Sequence, residues 1–501
     1  MPFAMQLHGM GWLDDLMMLD RPDAEESGRR WTMEWIRQFG RGLGPGWWAP
    51  LVGRRLLRMI SHAPRLLKGM PAGDQSLFFD SIYRQAILLR RHWRDAPEGL
   101  ARMEALTGLL YAAIALEGMG NLRDRASALL TSAMDKDVGP DGGIASRNPE
   151  ALLEVATLLG WAINALERSE GPIPAALLDA QARIIPTLRA LRHADGSLAR
   201  FHGGGRGRKG RLDMALIESG VRARDPAALS MGFAPLHHGR TTLIADAAAP
   251  PTGITSGSAH ASTLAFELTS GSCPLIVNCG PGGAFGPEWH RAGRATASHS
   301  TLSLAGVSSA RIGPLLARGG RRIAPLVQGP KRVQWRRSVS ATSSVIMTSH
   351  DGYVRSHGLT HLRRLSLSTD GRSLEGEDSL RAVSAVDKER FEDVQSHVRP
   401  LGLPFDIRFH LHPDVEAVFD EVTGMVVMVL TNGEAWTFRP GHGVNIALEP
   451  SVHLEPGRLK PRATKQVVLS DRVVTYAATI DWTLSRIEVT PERPKVAADA
   501  V

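Results

Sequence analysis

Apolar residues recur at helical spacing through the first 225 residues and at alternate positions after that. Phe79, Ile82, Tyr83, Ala86, Leu89 and Trp93 fall on one helical face, as do Met103, Leu106, Leu109, Leu110, Ala113 and Leu116. Ala151–Arg168 and Pro174–His193 carry two more apolar stripes. Short punctuators separate these runs: PAGD at 71–74, GPDGG at 139–143 and SEGPIP at 169–174. Asn148 is placed to cap the helix that Pro149 opens. Paired helices with short loops predict a bundle or an (α/α) toroid, and periodicity does not choose between them.

Further along, Phe405, Ile407, Phe409 and Leu411 alternate with Asp406, Arg408, His410 and His412, the mark of a half-buried strand. A hairpin is predicted from Thr263–Leu268 and Pro274–Cys279 around Ser270–Gly271–Ser272. In its first strand Leu264, Phe266 and Leu268 alternate with Thr263, Ala265 and Glu267. Other strands are expected at Ser343–Thr348, Leu362–Ser368, Met425–Leu430, Glu434–Phe438, Gln466–Leu469 and Val473–Ile480. Asp370–Gly371 and Asn432–Gly433 are two-residue hairpin signals. The reading is an α+β multidomain chain: helices over 1–225, an antiparallel β-sandwich over 226–490 and a disordered tail over 491–501. Gly220–Ala227 and Ala247–Gly253 are the candidate linkers.

Charge narrows the partners. Against 51 acidic residues stand 59 basic ones, a net +8. That favours an acidic glycan, nucleic acid or anionic membrane, or is simply a surplus of surface Arg. The loop His193–Arg211 concentrates the charge, with His202, Arg206, Arg208, Lys209 and Arg211 around Gly203–Gly205. It is either a solvated basic loop or a cleft rim. It lacks the Gly-Lys-Ser/Thr of a phosphate loop, and no nucleic-acid motif accompanies it, so nucleic acid is not expected as a partner. No run of 18 apolar residues exists, so no membrane span is expected. The N-terminus has no basic leader and carries Asp14 and Asp15 within its apolar part, unlike a signal peptide. Cys273 and Cys279 on one extended strand would stand roughly 20 Å apart, out of disulfide reach.

Three short stretches carry a resemblance: GSAHASTLAF (Gly257–Phe266), IVNCG (Ile276–Gly280) and SHSTL (Ser298–Leu302). They resemble the core of the heparinase II/III-like polysaccharide lyases, whose pattern is roughly Gly-His-x-His-Ala-Asp-x-Leu-x-Phe, then Val-Asp-x-Gly, then His-Asn-Thr. The resemblance implies that the helical part is an incomplete (α/α) toroid ahead of the sandwich. It also implies β-elimination on a uronate-containing polysaccharide, in which a base removes the proton beside the carboxylate. A cationic or polar group neutralises that carboxylate, and an acid protonates the leaving oxygen. On this basis His260 and His202 are the acid–base candidates and Arg147 the carboxylate neutraliser, with Arg294 second. Asn148, His193, Arg206 and His237 are the remaining substrate-binding candidates.

The pattern also breaks. Ser258 stands where active lyases have a catalytic His, Asn278 where they have Asp, and Ser300 where they have Asn. Ala151 and Leu152 replace an expected Tyr-His pair. Tyr83 and Tyr111 lie inside apolar helix faces, so the usual Tyr base has no holder. No cofactor is required. His260, Asn278 and His299 match positions that bind a structural divalent metal in relatives. The resemblance points to the cell envelope or periplasm, with the cytoplasm as the alternative. The competing reading is an impaired member that binds acidic glycan, or serves envelope polysaccharide metabolism, without cleaving.

Overall fold

A computed structural model describes residues 2–222, 228–318, 321–398 and 400–487. The expected tail at 491–501 and most of the linker Gly220–Ala227 lie outside the described residues. Helices fill the chain up to Glu218, the longest being Pro22–Phe39, Ala72–His92, Leu100–Ala115, Pro149–Arg168 and Ala175–Ala190. Asn148 caps Pro149–Arg168 as expected, its side chain accepting the Ala151 N–H at 3.1 Å. The long helix Ala72–His92 differs from its reading: Phe79 and Tyr83 are exposed and Phe78, Ile82, Ala86 and Leu89 are buried. Its buried stripe is rotated by one residue at its start, because Phe78 continues the row through Ile82, Ala86 and Leu89.

Two antiparallel sheets follow. The first runs in the order Phe233–His238, Thr241–Asp246, Phe266–Ser270, Cys273–Val277, Leu403–Leu411, Arg462–Val473 and Asn445–His453, and Leu302–Leu304 also pairs with Leu403–Leu411. The second begins at Val333–Val339 and continues through Ser343–Tyr353, Leu359–Ser368, Ser373–Arg381 and Ala477–Arg486 to Ala435–Pro440, Met425–Val429 and Glu416–Asp420. Between the sheets lie Phe266, Phe409, Phe438 and Trp482, with Phe409 and Trp482 ring centroids 4.7 Å apart. Gly371 and Gly433 sit at the two hairpin turns with φ of 70° and 80°, as their dipeptides require.

The first sheet positions the site because its strands Phe233–His238, Thr241–Asp246 and Phe266–Ser270 are covered on both faces. Phe233 and Ile244 belong to the helical core, while Ala234, Leu243 and Ala245 belong to the sandwich core. Alternation is therefore lost in these strands, and Phe266–Ser270 is buried at every position. Glu267, which alternates with the apolar positions of this strand, is 1 % exposed and points at the helical layer. This strand also starts later than expected. Leu264 takes φ +68° and the Ala265 N–H bonds to the Ser262 carbonyl, so a turn occupies Ser262–Ala265. Val473–Ile480 is likewise not one strand: Arg462–Val473 ends there and Ala477–Arg486 begins in the other sheet.

Candidate functional site

Three histidines meet where the helical layer lies on the first sheet. The turn Phe201–Gly205 brings one of them. His202 has φ +50° and Gly203 φ +90°, so the chain doubles back on itself. A left-handed residue other than glycine costs about 1–2 kcal/mol, which the contacts below must offset. The turn is clamped to the segment before the strand Phe266–Ser270. The His260 N–H donates to His202 Nδ1 at 3.2 Å, and the Gly203 N–H donates to His260 Nε2 at 3.0 Å. Ser258 closes the same seam: its hydroxyl donates to the His202 carbonyl at 3.3 Å. A Cβ on Gly203 would come within 2.7 Å of Ser258 Cβ.

The hydrogen bonds settle the tautomers. His299 Nδ1 lies 2.8 Å from the Ala295 carbonyl, so it carries the proton and Nε2 is the acceptor. His260 Nδ1–H then donates to His299 Nε2 at 2.9 Å, leaving His260 Nε2 to accept from Gly203. His202 accepts at Nδ1, so its proton is on Nε2, 3.5 Å from Asp246 Oδ2. That distance allows charge attraction without a good hydrogen bond, and among the described residues His202 Nε2 has no other partner. All three rings have no exposed surface. Burial pulls each pKa down: His299 to about 4, His260 well below the ordinary value with help from His299 and His202, and His202 below it despite Asp246. The trio is a neutral, closed chain of donors and acceptors.

Arg147 and Asp246 anchor it. Arg147 also has a left-handed backbone (φ +50°) and is 9 % exposed. Its guanidinium donates to the carbonyls of Met231, Gly232, Ala248 and Ala249 at 2.9–3.1 Å and to Asp246 Oδ1 at 2.6 Å. It also lies 4.7 Å over the Phe233 ring. Asp246 is fully buried and accepts the Ser262 hydroxyl at 2.8 Å. Burial alone would raise its pKa, but Arg147 and His202 hold it far below the usual carboxylate range. Arg294 is similarly engaged, donating to the carbonyls of Ala259, Ala324 and Ser256 at 2.7–2.9 Å. Burial, and then Arg291, lower its pKa to about 10.

A second node adjoins the first through Ser300, the residue after His299. Asn278 Oδ1 accepts the Ser300 N–H at 3.1 Å, and its Nδ2 faces Glu267 Oε1 at 3.4 Å. Glu267 Oε2 also meets His193 Nε2 at 3.3 Å and the Arg200 N–H at 2.9 Å. Burial opposes its charge, but His193 and Arg200 hold its pKa down to about 2. His193 Nδ1 is buried without a partner.

The remaining candidates lie apart. Arg206 is exposed, 4.0 Å from Glu455, at a polar cavity of about 170 Å³ shared with Asp195, His412 and Asp414. His237 is exposed near the end of Phe233–His238 and meets Thr242 at 3.3 Å. Asn148 is occupied as a cap. Neither Tyr111 nor Tyr353 offers a base: their hydroxyls donate to the carbonyls of Trp161 and Leu302, and burial raises both pKa values. Three charged members of the site escaped sequence reading: Asp246, Glu267 and Arg200. For the two acids the available signal was a single charge in a strand with no other, in TTLIAD and FELTS.

The residues proposed for a metal do not fit one. His260 and His299 present their nitrogens to each other, Asn278 Oδ1 is taken by a backbone N–H, and its amide is a poor ligand. Among the described residues, no three His, Cys, Asp or Glu side chains are grouped to hold an ion.

Comparison with known proteins agrees with this architecture. Residues 220–483 match the model of the heparinase II/III-like C-terminal domain. FtsZ-localized protein C of Caulobacter vibrioides is 32 % identical over 493 residues, covering 97 % of this chain and 82 % of the relative. A heparinase III structure superposes with a TM-score of 0.70 at 13 % identity, over 96 % of this chain and 76 % of that one. The heparan sulfate lyase HepC of Pedobacter heparinus gives 0.62 at 15 % identity, over 96 % and 76 %. At such identities these structures establish the fold: helical toroid and β-sandwich.

Proposed function

Because the chain belongs to the heparinase II/III-like family, we propose that it is a member that keeps the lyase scaffold without lyase chemistry. In this reading it binds acidic glycan and works in envelope polysaccharide metabolism as a non-cleaving component. The observation that carries it is the state of His260. A general acid or base must reach the substrate proton within roughly 3 Å, directly or through one water. The His260 ring has no exposed surface, its lone pair accepts from Gly203, and its N–H is given to His299. Arg147 and Arg294 are spent on backbone carbonyls and Asp246, which leaves neither to neutralise a uronate carboxylate. Ser258, in place of the first His, seals the seam instead of opening it.

Glycan contact falls to the exposed cations of the Arg206–Arg211 loop, Arg206 and Lys209 first. The relative named for localisation with FtsZ supports a role beside that protein. The test is absorbance near 232 nm, where unsaturated uronates absorb. It is run on a panel of acidic polysaccharides at high protein concentration, with and without divalent metal. A flat trace is expected, together with measurable binding of at least one glycan. A rising trace on any substrate refutes the reading and returns His260 and His202 to the acid–base roles. Co-sedimentation with FtsZ polymers tests the FtsZ clause by itself.

A further inference from the structure

The sheet domain carries a cleft lined by none of the candidate site residues above, although Arg291 and Ala295 from the segment before His299 contribute to its wall. Its volume is about 980 Å³. It is walled by the short helix Pro287–Ala292, the loop 307–312, the segment 327–332 and the turn 351–356. Arg291, Arg311, Lys331, Arg332 and Arg355 line it, against two carboxylates, Glu288 and Asp351. All five cations are exposed. Asp351 is already engaged by the N–H groups of Lys331 and Arg332 and by Arg332 Nε, at 2.8, 3.1 and 3.3 Å. Among the described residues no carboxylate forms an ion pair with Arg291, Arg311, Lys331 or Arg355.

The cleft leads onto a sheet edge. Val333–Val339 is the terminal strand of the second sheet and, among the described residues, pairs only with Ser343–Tyr353. Its other edge presents main-chain groups along 7 residues, starting directly after Lys331 and Arg332. Arg336 and Arg337 stand exposed on it. Cations on an edge strand commonly keep other strands away. Four further cations without counter-ions, gathered around a cleft at the head of the strand, go beyond that need and select an anion. Among the described residues no aromatic side chain lines the cleft, so a pyranose ring would find no flat platform. An extended peptide can use both features, pairing its main chain with the edge and setting carboxylates on the Arg forks.

We propose that this cleft and the adjoining edge strand receive an extended acidic peptide segment of a partner protein. The proposal uses none of the histidines, Arg147 or Asp246 and stands whether or not the glycan reading does.

The probe is fluorescein-labelled decaglutamate, followed by anisotropy with the full chain at low and moderate salt. The variant R311E/K331E should weaken binding at least about tenfold, because two contacts become repulsions. R90E/R91E makes the same change of charge on the exposed face of the helix Ala72–His92 and should leave affinity within about twofold. Circular dichroism and melting confirm that both variants fold. A decaglutamate N-methylated at alternate amides keeps its charge but cannot pair with a strand, and should bind much more weakly. The proposal is overturned by absence of peptide binding, by equal loss in the two variants, or by full binding of the N-methylated probe. It is also overturned if an oligouronate binds with R311E/K331E sensitivity while the peptide does not.

Discussion

Arg147 is where a catalytic and a structural role predict opposite results. If it neutralised a substrate carboxylate, removing it would weaken glycan binding and leave the fold alone. Its contacts say otherwise: four carbonyl partners and Asp246, all from the strands Phe233–His238 and Thr241–Asp246 or the residues flanking them. R147M keeps much of the stem and removes the guanidinium. Asp246 is then a buried charge facing only Ser262 and a neutral His202. Breaking a buried pair from one side costs about 3–5 kcal/mol, and the orphaned carbonyls push toward the upper end. Because m in urea exceeds the roughly 1–3 kcal/mol/M of small proteins in a chain of 501 residues, the urea midpoint should fall by on the order of 1 M. R147M/D246N removes the stranded charge as well, and should recover about half of the loss. Tryptophan fluorescence in urea is the assay. A wild-type midpoint for R147M, accompanied by lost glycan affinity, would refute the structural role and restore the neutraliser.

Two further outcomes follow from the same site. His202, His260 and His299 have folded pKa values below their unfolded value near 6.5, so the folded state excludes protons that the unfolded chain takes up. Their contribution is intact above about pH 6.5 and declines as the pH falls towards about 4. His299 alone should cost about 2 kcal/mol between pH 7 and 5, read from denaturation midpoints across that range. A stability independent of pH from 7 to 5 would show that the rings are not held neutral. G203A places a Cβ 2.7 Å from Ser258 Cβ at φ +90°, so it should destabilise by about 1–3 kcal/mol and shift the His260 ring resonances in NMR. Unchanged resonances would separate Gly203 from the histidine chain.

Periodicity and turn residues by themselves determined the two-part architecture. The switch from spacing 3.6 to spacing 2 after the helices, the Asn148 cap and the Asp-Gly and Asn-Gly hairpins are local, because each depends on residues a few positions apart. The stretches GSAHASTLAF, IVNCG and SHSTL together carried the family resemblance. What the histidines do was decided by tertiary structure alone. His202 and His260 are 58 residues apart in sequence, and Arg147 and Asp246 are 99 apart, so no pattern of spacing could place them together. The same packing explains the misread strand. Alternation reports one dry face and one wet face, and the sheet bearing Glu267 has the helical layer on its second face. Glu267, at an alternating polar position, is therefore a buried partner of His193 and Arg200. Charge in a sequence reveals how many ions a chain carries, but only the fold decides which are left facing water and which must find each other.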